Sequence, residues 1–121
     1  MMAKDTKHRG SLSTDPKVSR AKGIERVTLT YDKDNMMCYF YIEAGSELAM
    51  HTHPQSQIGI VIKGRVDFTK GDGEVLALKA GDSYYFASMD PHSLKTYEKT
   101  ELSNASRHRG TTTRTDEDLR T

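Results

Sequence analysis

Cysteine occurs once in the chain, at Cys38, which excludes an intrachain disulfide and any zinc site built on several thiolates. Long apolar runs are lacking, and the longest falls far short of the ~18 residues that a membrane-spanning helix needs. The N-terminus carries charged and polar residues where a signal peptide has an apolar stretch. Neither charge is in excess over the whole chain, since 18 Lys and Arg stand against 17 Asp and Glu. The signs are unevenly placed, however: net +4 over residues 1–23, −4 over 24–102 and +1 over 103–121. Nucleic-acid binding asks for a basic face on the folded body. Here the body is acidic, so neither nucleic acid nor a membrane is expected as a partner. With 121 residues the chain has the size of one domain. Together these absences describe a soluble, cytoplasmic protein.

Apolar residues are concentrated in 24–102 as short runs separated by Gly and Asp. Arg26–Thr30 alternates at period two, and Met36–Ile42 is apolar on both faces. Gln57–Lys63, Arg65–Thr69 and Glu74–Leu78 follow, the last two joined by Lys70–Gly73, a hairpin signal of the Asp-Gly kind. Ser83–Phe86, His92–Tyr97 and Lys99–Leu102 complete the set. About nine short strands with no helical period predict an all-β barrel or sandwich over 24–102. Residues 1–23 have no apolar period and are expected to form a flexible polar arm. Residues 103–121 are rich in Arg and Thr and are expected to be a polar tail. A second reading of that tail is translation out of frame. Synonymous codons for Ser103–Thr115 exist whose neighbouring frame spells L-E-R-L-S-P-S-R-D-D-Y-A-D, a strand-and-turn ending.

The residues that carry chemistry are histidines. On a strand, His51 and His53 would project to the same side, about 7 Å apart along the chain. Gln57 opens the next strand after the Pro54-Gln55-Ser56 turn and can face the same interior. His92, in Pro91-His92-Ser93, begins a later strand and supplies a third imidazole. His8 and His108 lie in the polar ends and are expected to be solvated. The plain alternative is a barrel whose histidines are merely buried and hydrogen-bonded.

In these residues the sequence resembles the cupin superfamily. The first cupin motif, Gly-x5-His-x-His-x3,4-Glu-x6-Gly, is matched by Gly45, His51, His53 and Gly64, with Gln57 in the Glu position. The second, Gly-x5-Pro-x-Gly-x2-His-x3-Asn, is matched by Gly81 and His92, with Ala87 for Pro, Met89 for Gly and Thr96 for Asn. The resemblance implies a small jelly-roll β-barrel holding a divalent metal, with His51, His53, Gln57 and His92 as ligands. Imidazole suits Fe, Ni, Cu and Zn, and an oxygen ligand admits Mn, so the metal's identity stays open. Three imidazoles and an amide oxygen are all neutral, so the ion would keep its full charge and act as a strong Lewis acid.

The run from His51 to Gly59 also resembles the KdgF-type cupins of pectin and alginate breakdown, which turn cyclic 4,5-unsaturated uronates into open-chain keto sugars. That resemblance implies a non-redox enzyme acting on a small unsaturated uronate or similar sugar acid. The KdgF-type Asp-x-Phe-x-Pro-x-Arg segment has no counterpart in Leu102–Gly110, so the arginine that would clamp a substrate carboxylate is missing or displaced. Arg107 and Arg109 are the nearest in sequence. Two other functions compete: a cupin dioxygenase using Fe(II) and O2, against which Gln57 counts, and a non-catalytic metal- or ligand-binding module.

Tyr84, Tyr85 and Asp90 are the candidate proton carriers, and strand alternation sends only one of the two tyrosines inward. Met50 and Met89 flank the ligand segments and are expected to be adaptable core filler. If Gln57 faces inward, Ile58, Ile60 and Ile62 face out, where a monomer should be polar. Burying each isoleucine is worth roughly 1.5–3 kcal/mol, so either a second subunit or the N-terminal strand must cover them. A homodimer is expected.

Overall fold

The computed structural model describes residues 6–107. Ten strands follow in order: β1 (Lys17–Ala21), β2 (Ile24–Tyr31), β3 (Asn35–Ile42), β4 (Glu47–His51), β5 (Ser56–Lys63), β6 (Arg65–Lys70), β7 (Val75–Lys79), β8 (Ser83–Phe86), β9 (His92–Thr96) and β10 (Thr100–Arg107). No helix among the described residues is long and apolar enough to cross a membrane. The strands form two antiparallel sheets, one ordered β1-β2-β3-β10-β5-β8 and the other β4-β9-β6-β7. The all-β expectation holds, in an arrangement consistent with a jelly roll.

The core lies between the sheets. Ile24, Ile42, Val61, Tyr84, Phe86 and Leu102 from the six-stranded sheet pack on Val66 and Phe68 from the four-stranded one. Phe68 and Tyr84 meet with ring centroids 4.6 Å apart. Alternation along β5 explains the division of labour. Gln57, Gly59 and Val61 fall on the inner face, and Ile58, Ile60 and Ile62 on the outer one.

Two boundaries differ from expectation. Lys17–Ala21, read as part of a flexible arm, is a strand paired with β2. Val18 and Ala21 are its only apolar residues, and ladder hydrogen bonds to β2 order it without a period in its own sequence. Ser103–Arg107, read as tail, continues β10 and pairs with β3 on one side and β5 on the other. A central position between two apolar strands overrides the low strand propensity of Ser103-Asn104-Ala105-Ser106. The remainder of that segment, and with it most of the out-of-frame reading, lies outside the described residues.

Candidate metal centre

Three imidazoles meet between the sheets. The centroid of the His92 ring lies 4.6 Å from that of His51 and 5.1 Å from that of His53, and the latter two are 5.6 Å apart. Ligating nitrogens, one from each, all lie within 4.8 Å of one another. How His51 and His53 come together differs from the spacing argument. β4 ends at His51, and His53 sits in the turn that follows. The register of β4 on β9 slips between Leu48 and His51. Strict alternation would turn Met50 inward after Leu48; the irregularity instead sets His51 opposite His92 and leaves Met50 exposed.

Each ring is held by its second nitrogen. Nδ1 of His51 lies 2.8 Å from the carbonyl of Ala49, Nδ1 of His53 2.8 Å from that of Gln55, and Nδ1 of His92 2.8 Å from that of Asp90. A carbonyl oxygen only accepts, so each Nδ1 carries the proton and each Nε2 is left as a lone pair. Burial depresses the pKa of His53 and His92 below the usual imidazole value, which keeps both rings neutral. His92 is buried, its ring stacked on Phe86 at 4.3 Å and 7°. Three lone pairs facing one another repel unless a cation lies among them. Neutral imidazoles with backbone-locked tautomers are the donor set of a divalent metal, so these residues fit the ion that the resemblance implies.

Gln57, at the start of β5, reaches the same point: its side-chain amide nitrogen lies 2.9 Å from Nε2 of His53. Rotating that amide by half a turn exchanges its nitrogen for its oxygen, which gives the cluster a fourth neutral donor.

The cluster opens on a cavity of about 480 Å³, within the range of small-molecule sites. Phe40, Leu48, Phe68 and Leu94 supply apolar wall, and Arg20, Gln57, Tyr84 and Asn104 supply polar groups. The candidate proton carriers divide. Tyr84 is buried on the cavity wall, and its hydroxyl donates to Asn104 Oδ1 at 2.7 Å. Burial pushes its pKa well above the ordinary phenol value, so it stays protonated. Tyr85 is 59% exposed on the opposite face of β8. Asp90 is engaged in its own turn and is absent from the cavity lining: its carboxylate accepts from the backbone N–H of Ala87 at 2.8 Å. Met89, expected as core filler, is exposed, as is Met50.

Two cavity residues were not anticipated. Arg20 lies in the stretch read as arm, where its neighbours Lys17, Val18 and Ser19 show no pattern that marks it. Asn104 lies in the stretch read as tail. No apolar alternation in Ser103–Arg107 marks it. Arg107, one of the arginines nearest in sequence to the missing clamp, lines a different groove beside Lys7 and Asp32, and Arg109 lies outside the described residues.

Comparison with solved structures agrees with this fold. No curated protein matches the chain. Among solved structures, an RmlC-like cupin from Shewanella frigidimarina is 21% identical with a TM-score of 0.80, the match covering 87% of this chain and 95% of that one. KdgF from Halomonas sp. is 20% identical with a TM-score of 0.78, covering 87% of this chain and 96% of that one. Salicylate 1,2-dioxygenase from Pseudoaminobacter salicylatoxidans is 21% identical with a TM-score of 0.68, but only 26% of its length is covered by 74% of this chain. At such identities the likeness is one of fold. The cupin-domain family model matches residues 38–103, from within β3 to within β10, a span that contains all three converging histidines and Gln57: the chain belongs to the cupin family.

Proposed function

We propose that His51, His53, His92 and Gln57 hold a divalent metal, and that the protein is a non-redox enzyme acting on a small unsaturated uronate or similar sugar acid. The reaction is ring opening and ketonisation, as in pectin and alginate breakdown. The observation that carries this reading is the tautomer lock. Three Nε2 lone pairs and a neutral amide face one point, and no carboxylate among the described residues joins them. When bound, an ion with four neutral donors supplies Lewis acidity to an oxygen of the ligand. Likeness to KdgF in fold, and the shared run from His51 to Gly59, support the substrate class.

The chain's own residues account for the rest. The apolar wall excludes water from one side of the cavity. Tyr84, kept protonated by burial, can offer its one proton as a hydrogen bond to a ligand oxygen by exchanging it from Asn104 Oδ1. Asn104 accepts from that hydroxyl in the ligand-free protein. Ketonisation of an enol moves a proton without changing oxidation state, which a phenol beside a polarised oxygen can serve.

Assembly belongs to the same proposal. Ile58, Ile60, Ile62 and Tyr85 are 57%, 41%, 49% and 59% exposed on the outer face of the six-stranded sheet. Of the two covers considered for them, β1 pairs with β2 at the opposite end of that sheet from β5 and β8. We propose that a second copy of the chain covers them and that the protein is a homodimer.

The test is spectroscopic. Metal content is measured first, and the protein is then added to a 4,5-unsaturated uronate. Loss of the unsaturated absorbance band is the expected result. Oxygen uptake with a catechol or thiol, and no loss of the band, would replace this reading with a dioxygenase. Silence in both assays with metal bound would leave a binding module.

A further inference from the structure

Arg20 is the one permanently charged side chain on the wall of the histidine cavity among the described residues, and no carboxylate shares that wall. Its position is set by an irregularity in the ladder. Ser19 pairs with Glu25 and Ala21 with Ile24, so Arg20 is an extra residue between two consecutive pairs. Arg20 and Ala21, neighbours in sequence, both line the cavity, which strict alternation forbids and a bulge allows. Bulges re-aim side chains, and this one puts Arg20 on the wall of the cavity that the histidines share.

The electrostatics of that corner favour an anion. Arg26, on the adjacent strand, is buried at 2% exposure. Burial pulls its pKa down most, the Cys38 thiol partly opposes this, and repulsion from Arg20 lowers it further. Two guanidiniums close enough to repel, beside a cavity wall without a carboxylate, make a site where a negative group is stabilised. Beyond the histidines, the remaining polar lining, Thr52, Gln55, Gln57, Tyr84 and Asn104, is neutral and suited to hydroxyls. A guanidinium offers the planar pair of donors that a carboxylate accepts.

We propose that Arg20, on the bulge of β1, is the specificity-determining clamp for the carboxylate of a ligand whose opposite end reaches the histidine cluster. It rests on the sugar-acid reading above and gives that reading the arginine that the C-terminal segment lacks.

Titration calorimetry of the purified protein tests it, with D-glucuronate as a saturated, unreactive acid and D-glucuronamide as its uncharged counterpart. The parent protein binds the acid more tightly than the amide. Arg20→Gln weakens the acid by about tenfold or more, the scale of a lost charge-assisted hydrogen bond, and leaves the amide and the metal content unchanged. Arg20→Lys recovers part of the loss, because a point charge does not reproduce the fork. If Arg20→Gln binds glucuronate as the parent does, the clamp is wrong and the sugar-acid reading stands. Equal weakening of acid and amide also overturns the clamp, since it marks damage to the wall. A parent protein that fails to prefer the acid overturns the sugar-acid reading itself, and the clamp with it.

Discussion

The backbone N–H of Met89 donates to the carbonyl oxygen of His53 at 2.8 Å, tying the turn before β9 to the turn after β4. This bond holds two of the three histidine segments against each other. Met89 makes it from a left-handed backbone, with φ of 66°, at the position where the second cupin motif has glycine. A side chain there costs about 1–2 kcal/mol, and with 54% of Met89 exposed little packing offsets it. Met89→Gly is therefore expected to stabilise the protein. The gain is about 0.5–1 kcal/mol once the greater freedom of glycine in the unfolded chain is subtracted. Urea unfolding measures it; a midpoint equal to or below the parent's contradicts the strain.

Metal content should depend on each imidazole. His51→Ala removes one of the three imidazole donors without opening the core, since His51 is only half-buried. Metal occupancy after purification is expected to fall well below that of the parent while the unfolding midpoint of the metal-free protein barely moves. Elemental analysis decides, and unchanged occupancy removes His51 from the ligand set.

The pH dependence of the metal-free protein follows from the same burial. His53 and His92 have native pKa values below the ordinary 6.5, so in the unfolded chain these rings take up protons first as pH falls. Stability is fully present above about pH 6.5 and is lost as the pH drops through the lowered native values. Carboxylates with lowered pKa, such as Asp72 and Asp82, add their own loss only below their ordinary 3.8. Urea midpoints measured in chelator should be flat from pH 8 to about 6.5 and decline below it. A protein more stable at pH 5.5 than at 7.5 contradicts this sign.

What the sequence makes legible follows from how strongly each residue constrains its own surroundings. Gln57–Lys63 alternates cleanly, and its strand, faces and inward Gln57 match the structure. The convergence of His51, His53 and His92 was visible from spacing and motif, yet its mechanism was not. One ring ends a strand and the other sits in a turn, brought together by a register slip that no local pattern encodes. Arg20 and Asn104 were missed for a related reason. Lys17–Ala21 and Ser103–Arg107 have weak strand propensity of their own, and their conformation comes from partners far along the chain. Of Tyr84 and Tyr85, alternation says that one is inward, and only the pairing of Tyr84 with Gly59 decides which.

That pairing yields a further test. Tyr84 lies over Gly59 to reach Asn104 one strand beyond, and a Cβ at Gly59 would collide with the Tyr84 ring and with the backbone carbonyl of Ser103. Because one neighbour is backbone, the collision is not relieved by a rotamer change. Gly59→Ala should displace the ring, break the buried hydrogen bond and destabilise the protein by about 1–3 kcal/mol. Tyr84→Phe should cost less in packing but leave Asn104 Oδ1 without this donor. Comparing the two separates the steric from the polar part, and a Gly59→Ala protein as stable as the parent contradicts the close approach.

The outer face of β5 gives the last prediction. Ile60 sits between Ile58 and Ile62 on that face, opposite Ser103 of β10 and Ser83 of β8. It touches neither the histidines nor the cavity. Ile60→Asp places a charge in the centre of the apolar patch, where in a dimer it would be desolvated without a cation to pair with, a cost of several kcal/mol. In a monomer the same residue is in water and nearly neutral in effect. Sedimentation velocity should show the parent as a dimer and Ile60→Asp as a monomer or as aggregate, with metal content retained in the monomer. A variant that sediments as a dimer places the interface elsewhere, because a dimer through this patch would bury two unpaired carboxylates near its centre.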